Sequence, residues 1–208
     1  MKISAEKGKQ NKIHILCNGE YTFTVDAEYW FSCPYCGKNE LDDEESAAFF
    51  DAVGSRCAFI AGLRLLSYRD HSEKELVAKL VQKGHKKTYA VAAVEKLKEY
   101  RYVDDERTAE IYAKDLFERK SLSINGIVSE LCRRGIPREI AVNAAEKLDN
   151  DPILRIIDLL EKKYSRCLND EKGIKKTIAA LQRLGYRWSD INSALRQYQI
   201  ETEDFGDV

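Results

Sequence analysis

The sequence predicts a mainly α protein in which three tandem three-helix repeats form an elongated, curved solenoid behind an N-terminal β-hairpin. The first observation is an alignment on glycines. Gly84, Gly135 and Gly185 stand 51 and 50 residues apart and bring into phase ELVAKLVQKGHKKTYAVAAVEKL, GIVSELCRRGIPREIAVNAAEKL and TIAALQRLGYRWSDINSALRQY. Four residues before each glycine stands Leu80, Leu131 or Leu181; one after it comes His85, Ile136 or Tyr186; ten after it comes Val94, Ala145 or Leu195. The second observation is a further amphipathic stretch upstream of each pair. Its apolar residues are Ala58, Ala61 and Leu65, then Ala109, Tyr112 and Leu116, then Leu154, Ile157, Leu160 and Tyr164. The third is a change of period, from alternation near the N-terminus to helical spacing from residue 57 onward.

In chain order, KIHILCNGEYTFTV alternates through Ile13, Ile15 and Cys17 and again through Tyr21, Phe23 and Val25. Asn18-Gly19 between them favours the left-handed backbone of a tight hairpin turn, so strands are expected at 12–17 and 20–25. A lone hairpin is marginal in water and must dock on another element. FSCPYCGKNE reads as a turn, and Asp42 to Phe50 as a short helix with acids in its first turn, where the helix dipole favours them. The expected divisions are 1–56 for hairpin, short helix and link, then 57–105, 106–150 and 151–208 for the three repeats, the last with the C-terminal tail. Each aligned glycine is expected to be the left-handed residue that ends a helix, with Lys83, Arg133 and Arg134 where cations suit a helix C-terminus. Ser72-Glu73-Lys74-Glu75 reads as a capping box, and Pro137 fits just inside a helix start.

Cys33-Pro34-Tyr35-Cys36 has the spelling of a redox dithiol. Such a dithiol needs a thiol of lowered pKa at a helix N-terminus. Here Asp42, Asp43, Glu44 and Glu45 follow, and no proline lies in the hundred residues after Cys36 to serve as the cis-proline that faces such a dithiol. Zinc needs two more ligands, and Cys17, Cys57, Cys132, Cys167, His14, His71 and His85 are scattered singly. The stretch is therefore read as a turn, with no metal and no cofactor. Free thiols, no signal peptide and no apolar run of membrane-spanning length fit a cytoplasmic protein without a membrane partner. No Ser/His/Asp set, phosphate-binding glycine loop or H-E-x-x-H occurs, so no catalytic residue is assigned and the chain is read as a non-enzyme.

Charge is uneven along the chain. Residues 1–56 hold 6 basic and 10 acidic residues, 57–148 hold 18 and 14, and 149–208 hold 10 and 11. Within the basic middle, Lys79, Lys83, Lys86 and Lys87 stand around Gly84, and Arg133, Arg134 and Arg138 around Gly135. On stacked repeats they would line one edge, able to meet phosphates or an acidic protein. Adjacent Asp104 and Asp105 are read as an N-cap and a first-turn acid, because neighbours on a helix do not face each other. A helix-turn-helix DNA binder is the rival reading. HKKTYAVAAVEKLKEY and PREIAVNAAEKL put alanine and valine where a recognition helix needs base-reading side chains.

LRLLSYRDHSEKELVAKLVQKG, LKEYRYVDDERTAEIYAKD and IVSELCRRGIPREIAVNAAEKL resemble the signature blocks of the RecX family, bacterial regulators of the recombinase RecA. The likeness rests on Arg69-x-x-Ser72, on Tyr102-x-Asp104-Asp105 and on the leucine-x-x-x-glycine-isoleucine element that contains Gly135. It is strong over residues 57–150, and departs at Thr108, where an aromatic is usual, and near Ser123, where a glycine is usual. The resemblance implies tandem three-helix repeats and a monomeric, non-enzymatic protein. That protein would bind RecA and its filament on single-stranded DNA and restrain filament growth, ATP hydrolysis and strand exchange in recombination and repair. Weak direct DNA binding would be accessory, and a DNA-binding helical module independent of RecA is the alternative.

Overall fold

The computed structural model describes residues 1–148 and 151–198. It is mainly helical and divides into two compact units, Met1–Asp104 and Asp105–Val208.

The first unit opens with three antiparallel strands, β1 (Ile3–Lys7), β2 (Lys12–Cys17) and β3 (Glu20–Asp26), in the order β1-β2-β3. The expected hairpin is β2–β3, turned at Asn18 (φ 52°) and Gly19 (φ 85°). β1 escapes pattern reading because only Ile3 of its five residues is buried, so it has no alternation to show. Ile13, Ile15 and Cys17 all face the core as expected, but of Tyr21, Phe23 and Val25 only Val25 is fully buried. The pairing passes from Ile15↔Phe23 to Leu16↔Tyr21, leaving Thr22 as an extra residue, and this bulge turns Tyr21 outward to 65% exposure.

After the short α1 (Ala27–Ser32) and the turn around Cys33 comes α2 (Asp43–Leu66). The short helix expected over Asp42–Phe50 is only the start of it. A full capping box opens it: Asp42 Oδ1 accepts from Glu45 N at 2.7 Å, and Asp42 N donates to Glu45 Oε2 at 3.3 Å. The N-terminal half of α2 supplies Phe49 and Val53 to the core beneath the sheet, and the C-terminal half supplies Ala58 and Phe59 to the first repeat. One helix thus gives the sheet the apolar surface it needs and also serves as the first helix of the repeat. α3 (Glu73–Gln82) and α4 (Lys87–Glu99) complete that repeat. Gly54 and Gly62 let α4 come close: a Cβ on them would lie 2.4 Å from the Tyr89 ring and 2.7 Å from Leu97.

The second unit holds two more three-helix sets. The first is α5 (Asp105–Lys120), α6 (Ile124–Arg133) and α7 (Arg138–Glu146). The second is α8 (Pro152–Leu159), α9 (Glu171–Arg183) and α10 (Trp188–Gln197). Leu154 was expected on the apolar stripe of α8 but is 62% exposed, while Ile156 and Leu160 are buried. Leu154 lies two positions, more than half a turn, from Ile156 and so faces the other way. The helix continues into a π-helical turn at Leu160–Tyr164.

All three aligned glycines end their helices identically, with φ of 93°, 90° and 90°. Gly84, Gly135 and Gly185 donate to the carbonyls of Val81, Cys132 and Gln182, and the following residues His85, Ile136 and Tyr186 donate to Leu80, Leu131 and Leu181. This is the double bond of the Schellman motif. The leucine and the residue after the glycine, matched in sequence, are the pair that this motif brings together. Within the second unit the third repeat docks on the second through the same turn. Leu184 O accepts from Ser123 N at 3.0 Å, and Tyr186 Oη donates to Ser121 O at 3.2 Å.

Candidate functional site

The seven basic residues singled out by sequence lie where expected, at the ends of the paired helices. Counted from the glycine, only Lys83 and Arg134, and Lys87 and Arg138, are strict equivalents; Glu130 holds the place of Lys79 and Pro137 that of Lys86. That difference governs the electrostatics. In the second repeat Glu130 is clasped by Arg133 (Nη2–Oε1 2.8 Å, Nε–Oε2 2.8 Å) and by Arg134 (Nε–Oε1 3.1 Å). The bond from Arg133, with help from Arg134, holds the Glu130 carboxyl below its usual range. Arg134 is half-buried, its guanidinium 4.6 Å from the Tyr112 ring centroid. Arg133 and Arg138 are exposed.

In the first repeat no carboxylate of the described residues pairs with Lys79, Lys83, Lys86 or Lys87. Lys83, Lys86 and Lys87 are exposed, and Lys86 Nζ lies 5.4 Å over the Tyr89 ring. The first repeat therefore presents the stronger positive field. Arg64 adds to it from α2, beside Lys83 and Lys86 at the rim of one cleft. Sequence reading gave Arg64 no role although it stands inside the block LRLLSYRDHSEKELVAKLVQKG, because it lies 19 residues before Lys83 and no spacing links the two.

The family-motif residues have structural work. Ser72 caps α3, accepting from Glu75 N at 3.2 Å. Arg69 grips the Glu75 carboxylate through both terminal nitrogens, at 3.1 and 2.5 Å, and donates to Asp70 O. His71 is buried with Nδ1 2.9 Å from Glu75 Oε2. Burial pushes the His71 imidazole below its ordinary pKa despite the pull of Glu75. Burial raises the Glu75 carboxyl, but the Arg69 and His71 contacts outweigh it and hold the group low. Glu75, expected to close a capping box, is thus the anchor of the α2–α3 connection. Tyr102 follows α4, exposed and edge-on to Tyr100 at 6.5 Å; Asp104 immediately precedes α5 and Asp105 is its first residue.

Cys33 and Cys36 form a turn, Cys36 N donating to Cys33 O at 3.0 Å, and Cys33 is buried with Trp30 and Leu41 under the sheet. Cys57 is half-buried, and desolvation pushes its thiol up to about 11. Among the described residues all cysteines are free, and no group of three His, Cys, Asp or Glu is placed to hold a metal. Of the small residues that argued against DNA reading, Ala90, Ala93 and Val94 of α4 and Ala141, Ala144 and Ala145 of α7 are buried, whereas Val91 and Ala92 of α4 are exposed. No helix of the described residues is long and apolar enough to cross a membrane.

These features define a protein of tandem three-helix sets whose helix-pair turns carry cations. The family model described as RecX, first three-helix domain, matches residues 58–97. A regulatory protein RecX of Caldanaerobacter subterraneus subsp. tengcongensis is 30% identical over 193 residues, 91% of this chain and 95% of the relative. That of Clostridium perfringens (strain SM101 / Type A) is 29% identical over 204 residues, 94% and 93% of the two chains. A crystal structure of a regulatory protein RecX superposes with a TM-score of 0.67 at 21% identity, covering 94% of this chain and 98% of the other, and supports the same fold. The chain belongs to the RecX family of regulatory proteins.

Proposed function

We propose that this protein binds RecA and the RecA filament on single-stranded DNA and restrains filament growth, ATP hydrolysis and strand exchange, acting by occupancy without catalysis, as a cytoplasmic monomer. The observation that carries the reading is the group of lysines at the α3–α4 turn, Lys79, Lys83, Lys86 and Lys87, which no carboxylate of the described residues neutralises. Such cations favour a partner rich in phosphate or carboxylate and steer its approach more than they add raw affinity. In the second unit, Arg138 and the outer face of Arg133 are proposed as a separate contact of the same charge. Arg134 belongs to the fold as much as to the surface, since it is shared between Glu130 and Tyr112.

The test is RecA-dependent ATP hydrolysis on single-stranded DNA, titrated with the parent protein and with Lys83→Glu/Lys87→Glu, with circular dichroism as the control for folding. The reversed protein should need about tenfold more material for equal inhibition, the order expected for losing rim charges of a steered interface. Undiminished inhibition by the folded variant would remove these lysines from the interface. A parent without effect on RecA would remove the function. Direct DNA binding is separated by mobility of free DNA over a salt series, because phosphate-driven affinity collapses with salt.

A further inference from the structure

We infer that the first unit carries a second recognition site, a cleft along β3 that takes an acidic, extended segment of a partner protein by strand addition. β3 pairs with β2 on one side, and no strand of the described residues pairs with its other side. A cleft of about 600 Å³ runs there, lined by every residue from Tyr21 to Asp26. Side chains of a regular strand alternate between faces, so the unbroken run of residues 23–26, beyond the bulge at Thr22, can line one cleft only along the strand's edge. Its backbone N–H and C=O groups then face the cleft, the arrangement that binds peptides by β-augmentation. Thr24 O marks that free side, accepting there, among the described residues, from the weak donor Cys57 Sγ at 3.6 Å, which a peptide N–H would displace.

The opposite wall selects the charge of the guest. It comes from α2 and the α3–α4 turn and carries Arg64, Lys83 and Lys86, none ion-paired among the described residues. Asp26 is the one carboxylate among the lining residues, and its two oxygens are held by Lys12 at 2.7 Å and Arg56 at 3.0 Å. Those bonds, led by Lys12, keep the Asp26 carboxyl below its usual range. Phe50, Ile60 and Ala61 complete a mostly apolar interior. An extended peptide with acidic residues on one face and apolar ones on the other satisfies edge, rim and interior together. A nucleic-acid strand satisfies chiefly the rim: Tyr89 is buried beneath Lys86, Phe23 and Phe50 pack on each other at 5.9 Å, and the outward-turned Tyr21 alone among the described rings of the cleft is exposed for a base to stack on, short of the run of rings that successive bases need. The site shares Lys83 and Lys86 with the surface proposed above but does not rest on it, since no recombinase enters its test.

The probe is a fluorescein-labelled peptide of alternating glutamate and valine with one central phenylalanine, titrated with the full chain and read by fluorescence anisotropy. The parent should bind it. Arg64→Glu/Lys83→Glu/Lys86→Glu, with unchanged circular dichroism, should bind at least about tenfold more weakly. A peptide N-methylated at alternate residues, unable to donate to the strand edge, should lose binding similarly. If the triple reversal misfolds, Arg64→Gln/Lys86→Gln replaces it with the same expected direction. No binding by the parent, or equal binding of the N-methylated peptide, overturns strand addition. Tighter binding of an oligothymidylate that displaces the peptide reassigns the cleft to nucleic acid. Peptide binding that survives in a protein without effect on RecA sinks the earlier proposal alone.

Discussion

Alanine at Gly84 and alanine at Gly185 impose the same backbone strain but meet different surroundings. Both residues have left-handed backbone, φ 93° and 90°, and an L side chain there costs roughly 1 to 2 kcal/mol. Around Gly84 a new Cβ finds nothing within 4 Å. At Gly185 it would lie 2.6 Å from Gly126 N, 2.7 Å from Gly126 Cα and 2.7 Å from Ser123 Oγ. Two of these are backbone atoms and cannot swing away, so the turn must lift off α6. Overpacking of this kind adds about 1 to 3 kcal/mol. Lifting also strains the Ser123 N to Leu184 O bond, now 3.0 Å, worth about 1 kcal/mol net. The expected losses are thus about 1 to 2 kcal/mol for Gly84→Ala and about 3 to 6 kcal/mol for Gly185→Ala, from strain plus these contact costs. The assay is urea unfolding by tryptophan fluorescence, because each unit has one tryptophan, Trp30 in the first and Trp188 in the second. Single Trp→Phe backgrounds separate the two signals. Equal losses, within about 0.5 kcal/mol, would refute the tight docking of the third repeat on the second.

Three further outcomes are expected. Arg101, exposed at φ 58°, ends α4 with the same pair of bonds the glycines use, donating to Lys98 O while Tyr102 donates to Leu97 O. Arg101→Gly should therefore raise the stability of the first unit by about 0.5 to 1 kcal/mol, the relieved strain less the added chain entropy of glycine, read from the urea midpoint. His71 and His85 both have pKa values lowered, each chiefly by burial; Glu75 opposes the shift at His71, Arg69 and Lys79 support it there, and Lys83 supports it at His85. Depressed folded values mean that the unfolded chain binds more protons, so their contribution is complete above about pH 6.5 and is lost as pH falls through the folded values. Thermal unfolding of His85→Leu should show a shallower acid loss than the parent, and an unchanged slope would sink the assignment. Cys33→Ser should cost about 1 to 2 kcal/mol for putting a hydroxyl into the core beneath the sheet, whereas Cys36→Ser should change thermal stability by less than about 0.5 kcal/mol.

Local rules sufficed where one short segment carries its own reason for its shape. Asn18-Gly19 dictates the hairpin turn, and the glycines with their flanking leucines dictate three identical helix ends, because these bonds close within a few residues. The same end at Arg101 went unseen, since nothing in the residue type announces left-handed backbone there. β1 and the outward turn of Tyr21 went unseen because a one-sided edge strand and a bulge are settled by pairing across strands.

The candidate surface divides the same way. Sequence alone determined which residues are cations and that they flank helix-ending glycines. Tertiary structure decided which of those charges are available: Glu130 draws in Arg133 and Arg134, while Lys79, Lys83, Lys86 and Lys87 of the first repeat meet no carboxylate among the described residues. It also turned the motif residues Arg69 and Ser72 into anchors of the α2–α3 connection. The cleft along β3 was beyond sequence reading altogether, because Arg64, Lys83 and the edge of β3 are far apart along the chain and meet only when α2 packs under the sheet. Local hydrogen bonding depends on neighbours in sequence and can be read there, whereas the field at a surface sums charges brought together by packing.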